Sequence, residues 1–435
     1  MRHLQRLAEL RDTYVAAHPE SRRIMSDAAE FMPGGNTRSV LHFDPFPMVI
    51  ASGDGATVTD VDGHTYIDCA GEFSAGLYGH NDPVIRAAQE KALSDGLVLA
   101  APNRYEAGLA REMCVRFPSL DRVRFCNSGT EANVFALLTA RNFTGRSRFM
   151  FMEEGYHGGV LTFGGGKASR MNAPFDHVLA PFNDIDAALA TIRANKDELA
   201  AVMLEPLLGA GGNLLADKAF LEAVRAETQA HGILLIFDEV KTSRLGRSGL
   251  QGHFGVTPDM TTFGKYIGGG LSFGAFGGRE EIMMLFDPSR PDALMHAGTF
   301  NNNVMSMAGG LAGLSEVFTA DRADAFLDMT EATRAKLGEA LAAKGVPVRP
   351  SGFGSMMSLH IGEREPRRWS ETDSRAGTLR SLVHLAALEE GLVTTPRGDL
   401  YLSLPMTEAM LDDVVAIISG AVAREFPYVA GQMAA

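Results

Sequence analysis

The pattern of apolar and polar positions changes character twice along the chain. Between residue 66 and residue 320, short apolar runs alternate with segments of helical period. Val123–Cys126, Phe149–Met152, Val178–Pro181, Ala201–Leu204 and Ile233–Phe237 read as strands. Thr130–Phe143, Ile185–Ala194 and Lys218–His231 read as helices; Asn183-Asp184 caps the second and Gly232 closes the third. Strands that are apolar without alternation, separated by amphipathic helices, predict a mostly parallel sheet buried on both faces. From about Arg322 the pattern becomes a long helix to Lys344-Gly345, short strands at Met356–Ile361 and Tyr401–Leu404, and a last helix over Glu408–Glu425. The expected architecture is α/β, with a large domain over 66–320. A smaller α+β domain is drawn from both ends of the chain, 1–65 and 321–435.

The 435 residues suffice for more than one sizeable core. A hydrophobic fraction of 46% and a charged fraction of 21% are those of a globular protein. The formal charge of −13 sets nucleic acid and anionic membranes aside as partners, because the field of the whole protein repels both. An anionic substrate therefore has to be held by arginines placed locally. Cys69, Cys114 and Cys126 show no C-x-x-C spacing, so neither a disulfide frame nor a zinc site is expected. Arg2, Arg6 and Arg11 stand among Glu9 and Asp12 with no apolar stretch of a signal peptide, and no apolar run approaches ~20 residues. The expectation is a soluble cytoplasmic protein.

Three fragments imitate other chemistries. Ile233–Glu239 resembles the metal-binding strand end of a P-loop ATPase, but Gly166-Lys167 has Leu161 and Ala168 at the positions that would complete its phosphate loop. Gly270-Leu271-Ser272-Phe273-Gly274 fits a serine nucleophile elbow, yet glycines precede it and Ala275–Gly278 is no helix start. Twelve histidines show no H-x-x-x-H spacing, so no metal is expected.

A second set of residues is coherent. Asn127-Ser128-Gly129-Thr130 lies between a strand and a helix, where free amides and the helix dipole favour a phosphate; alone it would read as an N-cap. Asp238 ends a buried strand at the edge of the sheet where α/β ligands bind. Lys265 follows the short strand Thr261–Phe263 and precedes a Gly-rich turn that permits close backbone approach. A phosphate cradle, an acid and a lysine in this order are what pyridoxal phosphate requires.

With Gly155-Tyr156-His157-Gly158, Glu205-Pro206, Phe237-Asp238-Glu239-Val240, Gly264-Lys265 and Gly298-Thr299-Phe300, the series resembles class III aminotransferases of the fold-type-I superfamily along nearly the whole chain. The resemblance implies that Lys265 carries the cofactor as a Schiff base and that Asp238 pairs with the pyridine nitrogen. It places Ser128, Gly129 and Thr130 at the phosphate, Tyr156 and Val240 on the two ring faces, and Glu205 near the ring's edge. Thr299 would reach the phosphate of the neighbouring subunit, so a homodimer with shared sites is implied.

Met32–Leu41, Pro45-Phe46-Pro47, Gly264–Gly278, Gly298–Asn303, Pro396-Arg397-Gly398 and Leu402–Pro405 are similar to bacterial β-phenylalanine aminotransferases. That similarity implies that Arg38 and Arg397 bind substrate carboxylates and that Phe73 helps form a wall for an aryl group. By itself, each arginine reads as a surface ion pair. Arg38 lies in a Gly/Asn-rich loop, however, and Arg397 in a turn, where a guanidinium fork could face a carboxylate. The expected reaction moves the amino group of an aromatic β-amino acid to 2-oxoglutarate or pyruvate. The alternatives are a glutamate-1-semialdehyde-type aminomutase, which needs no second keto acid, and a non-catalytic cofactor-binding regulator. Arg364–Trp369 matches no pattern.

Overall fold

The computed structural model describes residues 2–431, and within them the sheet with the most strands has seven. Its order is Arg122–Cys126, Gly274–Gly278, Met260–Gly264, Leu234–Asp238, Leu199–Leu204, Arg148–Met152 and His177–Ala180. Gly274–Gly278 pairs antiparallel with both its neighbours and the remaining pairs are parallel. Every residue of Leu199–Leu204 and Leu234–Asp238 is buried, as continuous apolar strands under helices on both faces require.

Gly274–Gly278 is a strand that the sequence pattern hides, because glycine is poor at strand formation. Here close packing excludes side chains. A Cβ on Gly274 would stand 2.1 Å from the Ser128 carbonyl oxygen, and one on Gly277 2.4 Å from that of Arg122.

The helix Gly129–Thr144 begins where the Ser128 hydroxyl accepts from the Glu131 amide, and it stops at Gly145 with φ +70°. Its Ala132, Ala136, Leu137 and Ala140 pack in one core with Phe149, Phe151, Met203, Ile236 and Phe276. Each such large side chain taken from water contributes about 1.5–3 kcal/mol. Ile185–Ala194 is capped by Asp184 as expected, and Lys218–Ala230 ends before Gly232.

Two compact units emerge. One is Pro83–Leu327 with Arg367–Ser370; the other is Met1–Asp82, Asp328–Pro366 and Glu371–Ala435. The short return of 367–370 gives part of the unassigned Arg364–Trp369 segment a structural role. Arg368 bonds Asp184 at 2.8 Å, and the Asn183 amide donates to the Arg367 carbonyl at 2.8 Å. The second unit carries the helices Arg2–Ala17 and Pro19–Ala29, a four-stranded sheet (Ile50–Asp54, Thr57–Asp60, Thr65–Asp68, Leu392–Val393) and a three-stranded one. Its last helix runs from Glu408 to Ala430 with Pro427 inside it, past the expected end at Glu425. No helix among the described residues is long and apolar enough to cross a membrane.

Candidate active site

In the larger unit the candidate residues follow the carboxyl ends of strands that run in one direction. Ser128 comes after Arg122–Cys126, Tyr156 after Arg148–Met152, Glu205 after Leu199–Leu204, and Lys265 after Met260–Gly264; Asp238 ends its own strand. This is the edge at which α/β sheets gather ligands.

Asp238 is 4% exposed and held by three donors. Its Oδ2 accepts from His157 Nδ1 and from Asn133 Nδ2, each at 2.8 Å, and its Oδ1 accepts from the Val240 amide at 3.0 Å. Asn133 is fixed in turn: its Oδ1 accepts from Thr262 Oγ1 at 2.6 Å, and its Nδ2 also lies 3.0 Å from the His157 carbonyl. With three donors placed in this way, the carboxylate keeps a lone pair on Oδ1 for one more donor.

The sequence reading gave no role to Asn133 or His157. Asn133 could have been noticed as a polar residue in the apolar stripe of the Gly129–Thr144 helix, where a buried amide needs partners.

At the start of that helix Ser128 spends its hydroxyl on the Glu131 amide at 3.1 Å, so the N-cap reading of Ser128 holds. The amides of Gly129 and Thr130 make no hydrogen bond among the described residues and point from a helix N-terminus. Two glycines are dictated by close approach here. A Cβ on Gly129 would meet Val240 Cγ1 at 2.8 Å, and one on Gly158, whose φ is +105°, would meet Thr130 Oγ1 at 2.2 Å. Val240 therefore packs against Gly129.

Lys265 has φ +55°, a left-handed conformation that a residue with a Cβ adopts only when its surroundings impose it. The Gly269 turn that follows approaches the backbone of Gly309, where a Cβ would be 2.7 Å from the Gly309 carbonyl carbon. Tyr156 leaves 41% of its surface exposed, and its amide donates to Glu205 Oε2 at 3.0 Å. Burial pushes the Glu205 carboxyl above its usual range, against the opposing pull of His157 and Lys241. Thr299 lies exposed in a loop that Asn301 ties to Asn127 through a 3.0 Å hydrogen bond.

Arg38, Phe73 and Arg397 come together in the other unit. The Arg38 guanidinium carbon lies over the Phe73 ring at 5.5 Å from its centroid, and that of Arg397 at 5.7 Å. Both arginines also have acidic neighbours: Arg38 pairs with Glu72, and Arg397 lies 3.3 Å from Asp399. Phe73 is carried by an unusual turn in which Gly71, Glu72, Phe73 and Ser74 have φ of +48°, +46°, +53° and +77°. The three of these with a Cβ, Glu72, Phe73 and Ser74, cost about 1–2 kcal/mol each. Asp68 offsets part of that cost by accepting from the Ala70 and Gly71 amides at 2.9 and 3.0 Å, while its other oxygen lies 3.1 Å from His80 Nε2.

The larger unit's residues suit a phosphorylated pyridine aldehyde. Two amides without a partner among the described residues are left for an anion, a buried carboxylate retains an acceptor site, an aromatic ring is half open, and a lysine sits in an imposed conformation. The comparisons agree. Residues 41–422 match the family model for aminotransferase class-III. The chain is 46% identical to a β-phenylalanine transaminase of Variovorax paradoxus, over 95% of each chain. It is 37% identical to a glutamate-1-semialdehyde 2,1-aminomutase of Methanosarcina acetivorans, over 81% of this chain and 86% of the other. A crystal structure of a β-phenylalanine aminotransferase from Variovorax paradoxus superposes with a TM-score of 0.94 at 45% identity, covering 96% of this chain and 97% of that one. The chain belongs to the class III aminotransferases and is a pyridoxal-phosphate-dependent transaminase of fold type I.

Proposed function

We propose that this enzyme takes the amino group from an aromatic β-amino acid, represented by 3-amino-3-phenylpropanoate, and gives it to 2-oxoglutarate or pyruvate, as a homodimer with shared active sites. The observation that carries the reading is the placing of two guanidinium groups over one buried phenyl ring, Arg38 and Arg397 over Phe73. The β-phenylalanine transaminase activity of the Variovorax paradoxus relative supports it.

Pyridoxal phosphate, when bound, supplies an aldehyde that condenses with amines and a ring that takes up an electron pair. Lys265 Nζ holds the cofactor between turnovers. The same nitrogen, when free, would serve as the base that takes the proton from the carbon bearing the substrate amine. Asp238, fixed by His157 and Asn133, keeps a proton on the pyridine nitrogen. The Gly129 and Thr130 amides hold the phosphate, with Ser128 setting the helix start. Tyr156 and Val240 would hold the two faces of the ring, and Glu205 would stand by its edge. Thr299 serves the phosphate of the neighbouring subunit.

In a β-amino acid the carboxylate stands one carbon further from the reacting centre than in an α-amino or α-keto acid. Two arginines on separate loops answer that difference: Arg38 takes the donor's carboxylate, Arg397 the acceptor's, and Phe73 meets the aryl group. Loss of one charge-assisted pair costs ~1.5–3 kcal/mol, roughly one to two powers of ten in kcat/KM. Arg38→Ala should therefore cripple transfer from 3-amino-3-phenylpropanoate and spare a carboxylate-free arylalkylamine. Arg397→Ala should weaken 2-oxoglutarate more than the donor half-reaction. Equal losses for acid and amine donors would defeat the assignment of Arg38. The aminomutase reading is tested alongside, because such an enzyme isomerises an amino-aldehyde with no added keto acid.

A further inference from the structure

We propose that His18, Asp60 and His64, all in the smaller unit, form a binding site for one borderline divalent cation of the zinc type. His18 caps the helix Pro19–Ala29, while Asp60 and His64 flank the turn between the strands Thr57–Asp60 and Thr65–Asp68. No sequence spacing announces the group, since 45 positions separate His18 from His64 and only the fold joins them.

The geometry is that of a cation site. His18 Nε2 lies 3.3 Å and His64 Nδ1 3.0 Å from Asp60 Oδ2, and the three donor atoms lie within 4.8 Å of one another. Tetrahedral zinc, with bonds of about 2.0–2.1 Å, sets its ligand atoms about 3.3 Å apart. The Tyr66 hydroxyl completes the cluster at 2.9 Å from His18 Nε2 and 3.0 Å from Asp60 Oδ2. Two imidazoles and one carboxylate are a donor set that zinc accepts readily, with a fourth position for water.

The proton count points the same way. His18 Nδ1 lies 2.7 Å from the Tyr14 carbonyl oxygen, so the ring carries its proton there. A neutral His18 then turns a bare Nε2 toward a carboxylate oxygen, and lone pairs face each other. The single proton of the Tyr66 hydroxyl cannot serve both Nε2 and Oδ2. A cation at the centre would accept both lone pairs. His64, its side chain 43% exposed, joins as a ligand by carrying its proton on Nε2.

The surroundings are those of a metal ligand set. A backbone carbonyl fixes the His18 tautomer, and the Asp62 and His64 amides donate to Asp60 Oδ1 at 3.0 and 2.8 Å. A cavity of about 520 Å³ bounded by Tyr14, His18, His64, Tyr66 and Glu389 gives a path of entry. The buried Tyr14 hydroxyl on that cavity makes no hydrogen bond among the described residues, which leaves it for a metal-bound water.

The test uses holoenzyme stripped with EDTA and dialysed against graded ZnCl2 in a non-chelating buffer, with bound metal read by atomic emission. Saturable uptake of about one zinc per chain is expected, with a rise in the thermal unfolding midpoint. His64→Ala and His64→Gln should each weaken uptake at least about tenfold, while His42→Ala, which removes an exposed histidine, should leave it unchanged. Far-UV circular dichroism and the zinc-free midpoint establish that the variants are folded. Absence of saturable uptake by the native enzyme overturns the proposal. Uptake that survives both His64 substitutions overturns it equally.

Discussion

His157 donates from Nδ1 to Asp238 Oδ2 over 2.8 Å, and both side chains are buried. The bond fixes the imidazole's proton on Nδ1, because a carboxylate can only accept. With Asn133 on the same oxygen and the Val240 amide on the other, the carboxylate cannot rotate. Its remaining lone pair is thus held in a fixed direction before any ligand arrives, and that is how preorganised electrostatic groups act in catalysis.

Asp238→Asn tests that role. The amide keeps the shape, removes the charge, and turns its one nitrogen toward a donor it cannot accept. Proton removal in the donor half-reaction should slow by at least ~100-fold, measured in a stopped-flow spectrometer. Near-normal rates would reduce Asp238 to a residue that merely ends a strand.

The exposed position of Thr299 gives a second prediction. Lys265→Ala chains should bind cofactor yet be inactive, and Thr299→Ala chains should bind it more weakly. A mixed dimer of the two should contain one complete site, because the Lys265→Ala chain lends its threonine to the partner. Activity per mixed dimer should recover to about half that of the native enzyme, as one whole site in two requires. Mixtures that regain nothing would place both residues in the service of one chain.

Burial of His384 makes a prediction about acid stability. Its Nδ1 lies 3.0 Å from Thr394 Oγ1, Nε2 has no partner among the described residues, and burial pushes the pKa down to about 4. An unfolded histidine titrates near ~6.5. As pH falls, the unfolded chain takes up this proton first. Stability from the neutral ring is therefore whole above pH ~6.5 and drains away between there and about 4. His384→Gln, which cannot take up the proton, should lose less thermal midpoint than the native enzyme between neutral pH and pH ~5. Parallel losses in the two proteins would contradict the neutral, buried histidine.

The parts of the structure legible in the sequence are those governed by local rules. Leu234–Asp238 shows as an unbroken apolar run ending in an acid, and Ile185–Ala194 announces itself through Asp184. Gly274–Gly278 does not, since its glycines answer to the backbone of Ser128 and Arg122 across the sheet. The left-handed turn at Glu72 and Phe73 is equally hidden, because no local preference favours it and Asp68 and His80 support it. Lys265, Asp238 and the Ser128 loop stood out through motif order. Asn133 and the pairing of His157 with Asp238 depend on contacts between separate strands and helices.

The central claim, that an aromatic β-amino acid is the amine donor, is tested most directly by one half-reaction. Holoenzyme without any keto acid is mixed with excess 3-amino-3-phenylpropanoate, and the visible band of the cofactor is followed. The band should disappear in a single turnover, with release of one equivalent of the β-keto acid per site, and return on addition of 2-oxoglutarate or pyruvate. A band left unchanged by that donor, in enzyme that isomerises an amino-aldehyde unaided, would contradict the β-amino acid account and establish an aminomutase.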